Sequence, residues 1–123
     1  MAIIKPFKAF RPGKDVAEQL ASFPYDVLNS TEARELAKGN DQSFLRINKP
    51  EIDLAPDINV YEDSVYQKAK SNLDEFIDKD WLKQDEQAML YIYAQKMGNH
   101  LQKGIVACSS IDDYFNDVIK KHE

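Results

Sequence analysis

Ala88-Met89-Leu90-Tyr91-Ile92-Tyr93-Ala94-Gln95-Lys96-Met97-Gly98-Asn99-His100-Leu101-Gln102-Lys103-Gly104-Ile105-Val106-Ala107-Cys108 reads as one β-hairpin. Ala88 to Gln95 and Gly104 to Cys108 are rich in aromatic and β-branched residues, which suit a pleated surface. Between them Gly98-Asn99 has the Gly-X form of a two-residue turn, whose backbone twist matches that of the strands it joins. A hairpin brings neighbouring strands together antiparallel, and this fixes the character of the sheet.

Helical signals surround it. Tyr61, Val65, Ala69, Leu73, Phe76 and Ile77 fall on one stripe and predict a helix over roughly 61–79. Asn29 or Ser30 can cap a helix over 31–38 with Ala33, Leu36 and Ala37 inward, and Gly39-Asn40 offers a left-handed stop. Val16, Leu20 and Ala21 give a short helix that ends before Pro24. Ile111, Tyr114 and Phe115 suggest a last helical turn capped by Ser109 or Ser110.

Extended segments are expected at Ile3–Phe10, with Pro6 marking an edge or bulge, at Ser43–Ile47 and at Val118–Lys121, while Trp81-Leu82 begins a strand or a turn. A polar loop should run from Pro50 to about Asp57. The pattern is an α+β fold: a mixed or antiparallel sheet with a hairpin in its C-terminal half and helices packed on it. At 123 residues with 43% hydrophobic content, the chain is expected to form a single domain over 1–123.

Composition narrows the function. The net charge is −5, from 16 basic and 21 acidic residues, and no cluster of Lys and Arg could track phosphates, which argues against nucleic-acid binding. No apolar run reaches the roughly 20 residues a membrane span needs. One cysteine, Cys108, rules out an intrachain disulfide framework and points to a reducing, cytoplasmic setting, where it would act as a small buried filler.

Recognisable reaction chemistry is sparse. The four glycines, at 13, 39, 98 and 104, form no phosphate-cradling loop. A calcium loop starting at Asp78 would need Gly and Glu where Lys83 and Met89 stand, and no His/Cys set suggests a bound metal. Tyr91 and Tyr93 read as sheet packing, and the acidic run from Asp74 to Glu86 as a solvated face. Asp26, wedged between Tyr25 and Val27-Leu28, either caps the turn after Pro24 or lines a cleft.

Four sets of residues carry a family resemblance: Met1 to Pro12; Pro24-Tyr25-Asp26-Val27; Ser43-Phe44-Leu45 with Lys49-Pro50-Glu51-Ile52-Asp53; and Leu90 to Tyr93 with Gly104-Ile105-Val106 and Val118 to Glu123. In this order they resemble the start of the uncharacterised bacterial and archaeal family called domain of unknown function 1015. Members are usually several times longer, so the resemblance implies an N-terminal fragment whose first partner is the remainder of its own chain. Arg46 stands where the family pattern has His.

Lys120-Lys121-His122-Glu123 is also similar to a Lys-x-His-Glu stretch of ParB/sulfiredoxin-like free-serine kinases. That likeness implies a parent phosphotransferase using ATP or ADP with magnesium on a small hydroxyl substrate. Glu123 would then be the proton acceptor, with His122 beside it in the catalytic set. Tyr25, Asp26 and Lys121 would contact the substrate, while the phosphate-binding motif would lie beyond this segment.

Two functions therefore stay open. One is a scaffold that supplies a site carboxylate to a kinase. The other is a non-catalytic module that packs on the rest of its chain, on a partner subunit or in a homo-oligomer, for example through a free edge strand at 3–10.

Overall fold

The structure is a computed structural model and describes residues 1–121. In chain order its elements are β1 (Ile4–Lys5), β2 (Phe10–Pro12), α1 (Ala17–Leu20), α2 (Ser30–Leu36), α3 (Leu45–Asn48), α4 (Asp63–Asp78), β3 (Leu82–Gln84), β4 (Tyr91–Met97), β5 (His100–Val106), β6 (Cys108–Ser109) and α5 (Ile111–Phe115). Two 3-10 turns, Tyr25–Val27 and Pro50–Asp53, complete the set. The fold is α+β, its strands paired as two-stranded ribbons: β1 with β6, β2 with β3, and β4 with β5. The chain forms two compact units, a helical one over 10–83 and a hairpin one made of 1–9 and the segment from 84 onward.

The helical unit holds the buried core. Asn29 caps α2 as the sequence suggests: its side chain accepts from the Glu32 N–H, and the Glu32 carboxylate accepts from the Asn29 N–H. This reciprocal box satisfies donors that the first helical turn leaves unpaired. Ala33 and Ala37 pack against Leu45 and Ile52, with Leu28 at the margin. Leu36 faces solvent instead of the core. Gly39 takes the left-handed conformation, φ +73°, that lets the chain leave the helix.

A second cluster joins Leu20, Phe76 and Leu82, flanked by Phe44, Ile47, Leu73, Ile77 and Trp81. Helix α4 begins at Asp63, so Tyr61 lies outside it and is 79% exposed. Its buried line is Val65, Asn72 and Phe76, and Leu73 is only half-buried. At its end Asp80 adopts a left-handed φ of 58°. The Trp81 N–H then reaches the Phe76 carbonyl at 2.9 Å, closing the helix in a Schellman-type stop. The same turn sets Trp81 edge-on to the Phe76 ring, centroids 5.0 Å apart.

Two segments of this unit also take a different local structure from the one expected. Ser43–Ile47 is not a strand: α3 occupies Leu45–Asn48, with the Arg46 N–H bonded to the Ser43 carbonyl. The short run Phe44-Leu45-Arg46-Ile47 fits either period, and tertiary contacts choose the helix because it buries Leu45 in one cluster and turns Phe44 and Ile47 to the other. Nor is Pro50–Asp53 an open loop. It is a 3-10 turn whose Pro50, Glu51 and Ile52 are buried.

In the hairpin unit, β4 and β5 pair antiparallel from Tyr91↔Val106 to Met97↔His100. Gly98, with φ 58°, and Asn99 form the expected Gly-X turn. The 3–10 segment is not a continuous free edge. Ile4 and Lys5 pair with Ser109 and Cys108, and Phe7 exchanges both backbone bonds with Met89 at 3.1 and 2.9 Å. Pro6, which has no N–H to give, sits between the two pairings. Helix α5 is capped by the Ser110 side chain, while 118–121 has no strand. Cys108 is exposed and so is no core filler.

Phe76, 2% exposed, anchors the second cluster. Phe76→Ala should therefore lower stability by about 3–5 kcal/mol, against no more than about 0.5 kcal/mol for Tyr61→Ala. Urea unfolding of the two variants checks this; equal midpoints would contradict the packing described.

Candidate functional site

The helical unit's polar side chains bind one another. Arg46 donates through Nε to the Asn40 carbonyl at 3.0 Å, through Nη2 to the Ala37 carbonyl at 3.0 Å, and through Nη1 to the Asp53 carboxylate. Asn72 reaches across from α4, its amide donating to the Arg46 carbonyl at 2.6 Å and to Asp53 Oδ2 at 2.9 Å. Arg34 holds the carbonyls of Glu51 and Ile52. Arg46 thus ties the end of α2, the loop after it and the Pro50–Asp53 turn, which a shorter imidazole in its place could not all reach.

Glu51, 6% exposed, accepts from the Ser30 hydroxyl at 2.7 Å and lies 3.2 Å from the Lys49 ammonium. Burial alone would push its carboxyl up. The Ser30 hydroxyl, its own backbone N–H and Lys49 outweigh that and hold it below the ordinary carboxylate range. With these groups engaged on each other, the cluster reads as bracing for the helices.

The residues that sequence reasoning singled out are distributed differently. Tyr25 and Asp26 lie in the exposed 3-10 turn of the helical unit. Lys121 belongs to the hairpin unit, where it pairs with Asp117 at 2.8 Å and sits 4.7 Å above the Tyr114 ring. His122 and Glu123 lie outside the described residues. Among the described residues no group of three or more His, Cys, Asp or Glu could hold a metal ion. No helix among them is long and apolar enough to cross a membrane.

The hairpin unit has the opposite character, for none of its described residues is fully buried. Its interior contact is Tyr91. The phenol oxygen accepts from the Ala9 N–H at 2.9 Å and shares its proton between Asp85 Oδ2 at 2.6 Å and the Phe7 carbonyl at 3.2 Å. Its ring lies 5.1 Å from that of Phe7. Tyr91 thereby pins the N-terminal segment to the hairpin base.

Beyond that pin, apolar side chains point into solvent. Opposed residues share a face of the ribbon. One face carries Ile92 with Ile105, Ala94 with Lys103, and Lys96 with Leu101. The other carries Tyr93 with Gly104, Gln95 with Gln102, and Met97 with His100. Ile92 is 76% exposed, Ile105 72% and Met97 82%, so neither face is covered. No acidic residue occurs between Glu86 and Asp112, although the chain as a whole carries −5. The sequence signalled this hairpin but not its exposure, because alternation of apolar residues cannot say which faces find cover.

The family described as "Protein of unknown function (DUF1015)" matches residues 4–123. The chain belongs to that family. No curated protein and no solved structure matches it.

The Glu51 environment sets a pH dependence. A carboxyl whose folded pKa is depressed adds stability above its unfolded value, and that stability is lost as pH falls through the folded one. Unfolding midpoints of the wild type should therefore drop below about pH 5 more steeply than those of Glu51→Gln. Parallel curves from pH 7 to 3 would show that Glu51 is not held in this way.

Proposed function

We propose that this domain is a protein-interaction module whose contact surface is the β4–β5 hairpin. One observation carries the reading: a unit that lacks a buried residue among those described still presents Ile92, Tyr93, Met97, Leu101 and Ile105 to solvent. An isolated two-stranded ribbon is marginal in water, and large apolar side chains exposed on both of its faces mark a surface that lacks its cover. A protein surface, from elsewhere in its own chain or from a partner subunit, is the cover that such side chains need. The setting is cytoplasmic, in keeping with a single free cysteine.

The test is photo-crosslinking in living cells with a benzophenone side chain at position 92 or 105, and at the exposed Glu18 of α1 as control. Adducts from 92 and 105 but not from 18 are expected. Adducts in equal yield from all three positions, or from none, would overturn the reading.

A second reading keeps the domain as scaffold for a phosphotransferase that acts on a small hydroxyl substrate with ATP or ADP and magnesium. The tether of Lys121 to Asp117 and Tyr114 favours it, since this fixes the residue just before His122-Glu123. Glu123 would take the hydroxyl proton, with His122 next to it in the chain and Lys121 as a substrate contact. In a family member that carries the downstream phosphate-binding motif, the change equivalent to Glu123→Gln should lower turnover about a hundred- to ten-thousand-fold without lowering the melting temperature. Unchanged phosphorylation of serine and related alcohols would end this reading.

A further inference from the structure

The interaction reading leaves open which part of the hairpin docks and on what. Both outer edges are candidates, since β4 and β5 form a two-stranded sheet with no third strand among the described residues. In a two-residue hairpin the pair that closes the turn, here Met97 and His100, exchanges backbone bonds. Alternation then turns the N–H and C=O of Ile92, Ala94 and Lys96 outward on β4. On β5 it turns those of Leu101, Lys103 and Ile105 outward. Each edge is a row of unpaired donors and acceptors ready to take another strand.

The two edges differ in what they can pair with. Full antiparallel overlap of β5 with another β5 would set Lys103 against Lys103 across the dyad, a like-charge pair that opposes association, with the flexible Gly104 beside it. Full overlap of β4 with another β4 sets Ala94 against Ala94. Ile92 then lies opposite Lys96, Tyr93 opposite Gln95, and Tyr91 opposite Met97. The small residue falls where the strands cross the axis, and the Lys96 ammoniums sit at opposite ends, each stem over an isoleucine. Tyrosine opposite methionine is a favourable sulfur–aromatic pair. The β4 sequence is complementary to itself reversed, which is what a two-fold symmetric interface requires.

We propose that β4 pairs antiparallel with β4 of a second copy of this chain, centred on Ala94, to form a four-stranded sheet across the dimer. This rests on the interaction-module reading and names its partner. Two marginal ribbons then become one sheet of the size that is stable in water, and its outward backbone groups on β4 are satisfied. The face that carries Ile92, Ala94, Lys96, Leu101, Lys103 and Ile105 then runs on from one copy to the other.

Sedimentation equilibrium and amide hydrogen exchange test this together. The wild type should sediment at twice the chain mass at high concentration and dissociate on dilution. The amides of Ile92, Ala94 and Lys96 should exchange at least about tenfold more slowly than those of Leu101, Lys103 and Ile105 when the dimer is populated. Ala94→Pro removes an N–H that serves no bond within the hairpin and should give a monomer, with circular dichroism reporting whether the fold is kept. A wild type that stays monomeric to millimolar concentration, or β4 edge amides that exchange as fast as those of β5, overturns the proposal. If the chain is monomeric but position 92 crosslinks to another protein, self-pairing fails and the interaction reading survives. If position 92 gives neither dimer nor adduct, both fail.

Discussion

A guanidinium whose side chain is only 21% exposed has lost much of its water, and it must recover those hydrogen bonds from the protein. Arg46 recovers them from the Ala37 carbonyl, the Asn40 carbonyl and the Asp53 carboxylate, which flank its own helix α3 on both sides in the chain. The order of the helical unit follows from this. With Asp53 drawn to Arg46, the Pro50–Asp53 turn is held where Ile52 can join Ala33, Ala37 and Leu45. Asn72 then finds both the Arg46 carbonyl and Asp53 within reach, which sets the rotation of α4 and points Phe76 at Leu20 and Leu82. A partly buried ion pair such as Arg46–Asp53 stabilises little in itself, but it disfavours packings in which either charge is left alone.

Local signals in the sequence were sufficient wherever the structure depends on local chemistry. The Asn29 cap, the left-handed Gly39, the Gly98-Asn99 turn and the Ser110 cap each act within a few residues, and each is where its residue type suggests. Reading fails where distant contacts decide. Nothing near Ser43–Ile47 says that Arg46 will gather carbonyls from both sides of α2's end, and without that the segment passes for a strand. Leu36 and Tyr61 carry the right spacing for a buried stripe, yet both are exposed, and Tyr61 precedes the first turn of α4.

The candidate surface was legible only by half. Alternation in Tyr91–Met97 and His100–Val106 announced strands, and strands in a small domain are ordinarily half-buried. Their exposure follows from something sequence does not print. The N-terminal segment that covers the hairpin reaches only its base, where Phe7 meets Met89 and Tyr91 meets Ala9 and Asp85. Cys108 stays exposed for the same reason, since it sits on the short β6 ribbon and not in a core.

The base and the far end of the hairpin are guarded in different ways. Natural edge strands avoid indiscriminate pairing through proline, bulges, charge or a covering segment. The base has two of these devices, Pro6 and the inserted strand around it. Farther out, from Ile92 to Met97, the register to β5 runs without a bulge or proline, and the charge on β4 is a single lysine near the turn. A chain under pressure only to stay apart from others would place its guards at the longest and most regular edge. Here the guards are at the short end, and the long edge can meet its own reversed copy with Ala94 at the centre and no like charges opposed.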